Sequence, residues 1–184
     1  MGTGCVDLLG YACEMLSVPS YVRQEALRLL QDPKMVELRS CEQRVAVSVL
    51  VVSRESGIPL STEEVIVVLR ISKAFLLRGL WKWKKMGGSF KELSDMDWIP
   101  QINQRFGLPP TCERRAREIS SMLKQVGHLD PKKRALVSCY LSGLEHGMSP
   151  KVSALQRTDR LWLIKFAGFG RRSKRSKAQR HVLP

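Results

Sequence analysis

No stretch of this 184-residue chain approaches 18 uninterrupted apolar residues, and its N-terminus lacks a basic segment leading into an apolar core. Neither a membrane span nor a secretory leader is expected, and the reading is a soluble, unsecreted protein. The five cysteines, Cys5, Cys13, Cys41, Cys112 and Cys139, form no CxxC pair, and most sit among apolar helical residues, where cysteine behaves as a small hydrophobe. All five are expected to be reduced, which implies an intracellular protein. His128, His146 and His181 fall in turn or tail positions without ligand spacing, so no metal is expected. Gly87-Gly88 beside Lys84-Lys85 lacks the loop spacing and the following Ser or Thr of a phosphate-binding loop. GxSxG, HExxH and Cys/His constellations are missing too. Adjacent Glu63 and Glu64 point to different sides of a helix and cannot share a substrate as an acid and base pair. Neither an enzyme nor a cofactor is expected.

Acidic residues are also scarce: 17 Asp and Glu stand against 31 Lys and Arg, for a net charge of +14. The excess is uneven. Residues 1 to 90 carry +3 and residues 91 to 184 carry +11, of which the segment from Arg171 supplies +6. An imbalance of this size is the electrostatic footprint of a polyanion binder, and it does not choose among nucleic acid, a membrane surface and an acidic protein. The 43% hydrophobic content is that of a chain able to bury a core.

Helical periodicity dominates from Val6 to Phe166, with Pro and Gly between the periodic runs, so the fold class is all-α. An internal match at an offset of 90 holds without a gap over about forty residues. SVPSYVRQEA from Ser17 faces GLPPTCERRA from Gly107, and RVAVSVLVVSRESG from Arg44 faces RALVSCYLSGLEHG from Arg134. Identities fall at Pro19/Pro109, Ala26/Ala116, Arg44/Arg134, Ser48/Ser138, Glu55/Glu145 and Gly57/Gly147. The prolines sit where a second helix begins and the glycines where a third ends, positions these residues favour physically. Each unit then reads as five helices, near 6–16, 19–31, 40–56, 62–70 and 73–86 in the first and 97–106, 110–126, 131–146, 150–156 and 159–168 in the second. The third helix of the first unit, apolar on nearly all sides, should be central. Ser61-Thr62-Glu63-Glu64 and Ser72 read as helix starts, as does Asp130-Pro131. The expected division is a first repeat at 1–90, a linker at about 86–96, a second repeat at 97–170 and a basic, disordered tail at 171–184.

ACEMLSVPSYVRQEALRLL followed by LRSCEQRVAVSVLVVSRESGIPLSTEEV, with GLPPTCERRAREI and DPKKRALVSCYLSGLEHG in the second unit, resembles the tandem cyclin-fold core of the transcription factor IIB family. The shared features are a short apolar helix, a small-x-Pro start, a buried third helix, the turn Gly57-Ile58-Pro59 and a fourth-helix start at Thr62-Glu63-Glu64. The third helix departs from the family in being Val-rich rather than Ala-rich, and the last two helices of the second repeat are shortened. The resemblance covers residues 6 to 168 and implies two tandem five-helix cyclin-like repeats. It also implies an initiation factor that binds the TATA-binding protein and double-stranded promoter DNA in the nucleus. RNA polymerase would be recruited mainly through an N-terminal zinc ribbon that has no counterpart in these residues. A monomer is expected.

In the family the last two helices of the second repeat form a helix-turn-helix that reads promoter DNA. Carried over, its first helix is Pro150 to Gln156, its turn Arg157-Thr158, and its reading helix starts at Asp159. The implied DNA contacts are Lys151, Arg157, Arg160 and Lys165, since guanidinium and ammonium groups meet phosphates or guanine edges. The alternative is that these bases solvate an exposed face. Trp162 and Leu163 read as core. Lys132, Lys133 and Arg134 place three cations at a helix start, against its dipole, which points to an anionic partner unless Asp130 offsets them. In the first unit Arg78, Lys82, Lys84 and Lys85, interleaved with Trp81 and Trp83, suit a partner or DNA surface; the alternative is a solvated face with Trp81 and one neighbour buried. Arg171, Arg172, Lys174 and Arg175 suit nuclear import with phosphate contact, or an inert solubilising tail. Two other functions share the fold: a regulatory cyclin that binds a kinase, against which the basic second half argues, and the smallest subunit of the origin recognition complex.

Overall fold

The structure, a computed structural model, describes residues 3–127, 129–155, 157 and 159–166. Regular structure among these residues is helical, with no strand. The chain is all-α, as its periodicity requires. It divides between Leu93 and Ser94 into two compact units.

The first unit holds α1 (Thr3–Met15), α2 (Ser20–Leu30), α3 (Pro33–Val36), α4 (Cys41–Glu55), α5 (Thr62–Leu69) and α6 (Lys73–Lys85). Its centre is α4, which packs against α1, α2, α5 and α6. Five of its fifteen residues are valines, each costing about 0.5 kcal/mol of helix propensity relative to alanine. Burying a valine returns roughly 1.5 kcal/mol or more. Since all five are buried, packing overrides propensity. Ser40 caps the helix by accepting from Gln43 N at 3.3 Å. Serines also start α5 and α6. Ser61 and Glu64 form a reciprocal capping box, and Ser72 accepts from Phe75 N. The single turn α3 is not apparent in the periodicity; Asp32 caps it and Met35 fills the core beneath it.

The sixth helix meets α4 at Gly79, where a Cβ would lie 2.8 Å from the Gln43 Cγ. Its Leu76, Leu80 and Trp83 form the buried stripe. The chain then folds back over the Trp83 ring, and the indole Nε1 donates to Ser89 O at 2.7 Å.

The second unit holds α7 (Asp95–Phe106), α8 (Thr111–Val126) and α9 (Pro131–Glu145), with α9 packed against the other two. Arg157 and residues 159–166 are also helical. The helix expected at 150–156 is not formed: Val152–Ala154 make a single 3-10 turn. Leu155 is buried in an extended conformation directly after it (ψ 154°), and five residues from Pro150 leave no room for a longer helix. Gln156 and Thr158 of the expected helix-turn-helix lie outside the described residues, as does the basic segment from Arg171.

The offset of 90 is geometric as well as sequential. The α4 and α9 helices span positions 90 apart at both ends. Ser40 accepts from Gln43 N and Asp130 from Lys133 N. Val22 N donates to Pro19 O and Cys112 N to Pro109 O; Ile58 N donates to Ser53 O and Met148 N to Gly143 O. Gly57 and Gly147 are both left-handed, with φ of 75° and 68°. So are Ser17 (51°) and Gly107 (67°), a pair that letter identity does not reveal. Arg44 Nε donates to Leu38 O and Arg134 Nη2 to Leu129 O, each tying a central helix to the segment before it.

One sequence expectation is corrected in α1. Cys5 and Cys41 are joined as a disulfide, with Cα atoms 5.4 Å apart, so not all five cysteines are free. The partners are 36 positions apart, and only packing of α1 on the start of α4 brings them together. Cys13, Cys112 and Cys139 are free and buried.

Candidate nucleic-acid interface

In the second unit the interface candidates gather where the start of α9 meets the helical stretch 159–166. Leu163 is buried and anchors the helical stretch 159–166. Trp162 stacks on Phe166, ring centroids 5.4 Å apart, and Lys133 Nζ lies 5.7 Å from the Trp162 ring. Lys132 Nζ pairs with Asp159 Oδ2 at 2.8 Å and lies 5.3 Å from the Trp98 ring.

The three cations at the start of α9 each have a carboxylate of their own. Lys133 pairs with Asp130 at 2.9 Å, Lys132 with Asp159, and Arg134 with Asp95 at 3.5 Å. The dipole cost that suggested an outside anion is therefore met within the unit. Lys132 and Arg134 point inward, and Lys133 is half-exposed.

Arg157 and Lys165 are exposed and Arg160 is half-buried. At about 100° per residue, Leu161 and Ile164 fall between Arg160 and Lys165 around the helical stretch 159–166. Leu161 and Ile164 are exposed beside them, an apolar component that the charge pattern did not disclose. Lys151 is exposed; its backbone N–H donates to Phe106 O, and its side chain lies over the open Cα of Gly107. On α8, Arg115 bonds to both Glu118 and Glu145, which hold its guanidinium more firmly protonated than usual. Glu145 is held below the ordinary carboxylate range in return.

In the first unit, burial falls on Trp83 and leaves Trp81 63% exposed, the reverse of the solvated-face alternative, in which Trp81 was buried. Trp81 lines a cleft of about 230 Å³ with Arg39, Gln43, Phe75, Arg78 and Lys82. Lys82 Nζ donates to Glu37 O at 3.0 Å, and Lys85 Nζ lies 5.2 Å from the Trp81 ring. Lys84 faces away from the cleft, with Glu92 at 3.5 Å and the Phe90 ring at 5.4 Å. The expected four-cation surface is thus split: Arg78 and Lys82 line the cleft, Lys85 covers the indole, and Lys84 is engaged elsewhere. Arg39 and Phe75 were missed. Arg39 comes from the turn before α4, where no periodicity points to a face.

Among the described residues, no group of three His, Cys, Asp or Glu side chains could hold a metal ion, and no helix is long and apolar enough to cross a membrane. No protein-family model matches the chain, and no curated protein is significantly similar to it.

Proposed function

We propose that the chain is a transcription initiation core of the transcription factor IIB type. Its two units are tandem cyclin-like repeats, the second with a single 3-10 turn where its fourth helix was expected, that bind the TATA-binding protein and promoter duplex in the nucleus, without enzymatic activity. The observation that carries this reading is the recurrence, 90 residues apart, of the same cap, central helix and left-handed exit around α4 and α9. That order of elements is the one the resemblance implies. The +11 charge of the second half supplies the phosphate attraction a duplex requires. Arg157, Arg160 and Lys165, on the stretch anchored by Leu163, are the duplex-facing cations. Arg171, Arg172, Lys174 and Arg175 add charge beyond it.

The test is binding of labelled promoter duplex across a salt series, with and without TATA-binding protein, for the native chain and the Arg157→Ala, Arg160→Ala double variant. Cooperative binding that drops about tenfold or more in the variant supports the reading, since each two-pronged contact is worth about 1–3 kcal/mol. Binding indifferent to the TATA-binding protein moves the assignment to the origin-recognition subunit. No duplex binding at all leaves a kinase-binding cyclin.

A further inference from the structure

We infer that the cleft between the Arg39 turn and α6 binds unpaired nucleotides of single-stranded DNA, with Trp81 stacking on a base while Arg39, Arg78 and Lys82 hold the adjoining phosphates. This lies in the first unit and goes beyond the duplex reading of the second.

Three observations converge on the cleft. Trp81 is a large ring left mostly in water although α6 has a buried stripe to fill, and Trp83 fills it. Arg39 and Arg78 form no ion pair with any described residue, and Lys82 is held only by the Glu37 carbonyl. Glu37 and Glu42 are exposed nearby, but neither lines the cleft. The result is a concave patch of cations without carboxylate partners around a mostly exposed indole, which has Lys85 over its ring and the half-buried Phe75 at the cleft wall.

A duplex would satisfy the cations and leave the indole idle, because its bases are stacked on one another. A single strand presents a phosphate and an open π-face with every nucleotide, matching both halves of the cleft. An acidic peptide would need its own aromatic residue in register with its carboxylates to do the same. The neutral polar side chains among the described residues lining the cleft, Gln43 and Trp81, are both otherwise occupied when a ribose 2′-hydroxyl is to be read. The Trp81 indole N–H belongs to the ring that stacks, and the Gln43 amide is bonded at both ends: Oε1 accepts from Arg39 N at 3.2 Å and Nε2 donates to Phe75 O at 2.8 Å. An RNA strand therefore gains no contact over a DNA strand, and DNA, which brings no extra hydroxyl to be taken out of water unpaired, is the fitting strand.

The experiment uses the full chain and fluorescence anisotropy of labelled oligothymidylate, about twenty nucleotides long so as to exceed one site. The comparison probes are the matching duplex, oligouridylate, and an oligoglutamate peptide carrying one phenylalanine. Trp81→Ala should weaken single-strand binding about tenfold, the loss of one stacked base, and leave duplex binding within about twofold. Trp81→Phe should restore most of it. Arg78→Gln should flatten the salt dependence of single-strand binding by about 0.7 in logarithmic slope, the loss of one phosphate contact. Because Trp81→Ala leaves the charge and the basic segment from Arg171 untouched, nonspecific attraction cannot produce the expected split. Equal losses on duplex and single strand, or no loss on either, would overturn the inference. So would tighter, Trp81-dependent binding of the peptide or of oligouridylate.

Discussion

Lys132 Nζ lies 2.8 Å from Asp159 Oδ2, with 16% and 15% of the two side chains left in water. The ion pair connects the first turn of α9 to the stretch carrying Arg160 and Lys165 and engages the Lys132 ammonium within the unit. Lys132→Met leaves the Asp159 carboxylate largely out of water without a partner. It should destabilise the second unit by about 2 kcal/mol, somewhat below the cost for a fully buried pair. Lys132→Met with Asp159→Asn should recover about 1–2 kcal/mol of the summed single losses. Urea denaturation of the four proteins measures this; strict additivity would mean the pair is not coupled.

Left-handed backbone at position 17 yields a prediction of the opposite sign. Ser17 has φ of 51°, where its counterpart 90 residues on is Gly107. A Cβ in that region costs about 1–2 kcal/mol, and glycine returns part of this through its flexibility when unfolded. Ser17→Gly should therefore stabilise the chain by roughly 0.5 kcal/mol. Gly147→Ala should destabilise it by about 1 kcal/mol through backbone strain alone, because nothing lies within 4 Å of the added Cβ. Thermal unfolding of the two variants should shift in opposite directions.

The buried cluster around Asp95 is the second place where charge holds the fold. Asp95 Oδ2 accepts from Ser120 Oγ at 2.5 Å and pairs with Arg134 at 3.5 Å; Asp95 and Arg134 are both buried. Asp95→Ala strands the Arg134 guanidinium, whose Nε already has no hydrogen-bond partner among the described residues. A loss of about 3 kcal/mol is expected. In the first unit Arg44 meets only backbone carbonyls, at Leu38 and Val36, so Arg44→Met should cost less than Arg134→Met. Chemical denaturation that ranked them in reverse would show that the carboxylate is not what holds Arg134.

What could be read from the sequence was local. The apolar run around Val45–Val52, the Ser61, Ser72 and Asp130 caps and the glycines at 57 and 147 each depend on neighbours within one helical turn, so their letters suffice. What escaped was tertiary. Trp81 and Trp83 lie two residues apart, about 200° around the helix, so only one can share the stripe of Leu76 and Leu80. That stripe selects Trp83, a signal present in the sequence but unused. The Lys132–Asp159 pair, the arrival of Arg39 beside α6 and the extended Leu155 that replaces a helix at 150–156 depend on distant segments, which no spacing rule reaches.

Cysteine chemistry separates the two readings of α1. Cys5 and Cys41 are bonded to each other and partly accessible, whereas Cys13, Cys112 and Cys139 are buried. Burial raises the Cys13 thiol above its ordinary range and pushes Cys139 up to about 12. Since the thiolate is the nucleophile, neither should react at pH 8, and Cys112 is shielded from reagent. Alkylation of the folded, unreduced chain should therefore add no label, reduction before alkylation should add two, and denaturation with reduction should add five. The bond closes a loop across 36 positions, so reduction should also lower stability by up to about 4 kcal/mol on the chain-entropy account. Two labels on the folded chain without reductant would show Cys5 and Cys41 as thiols and restore the all-reduced expectation.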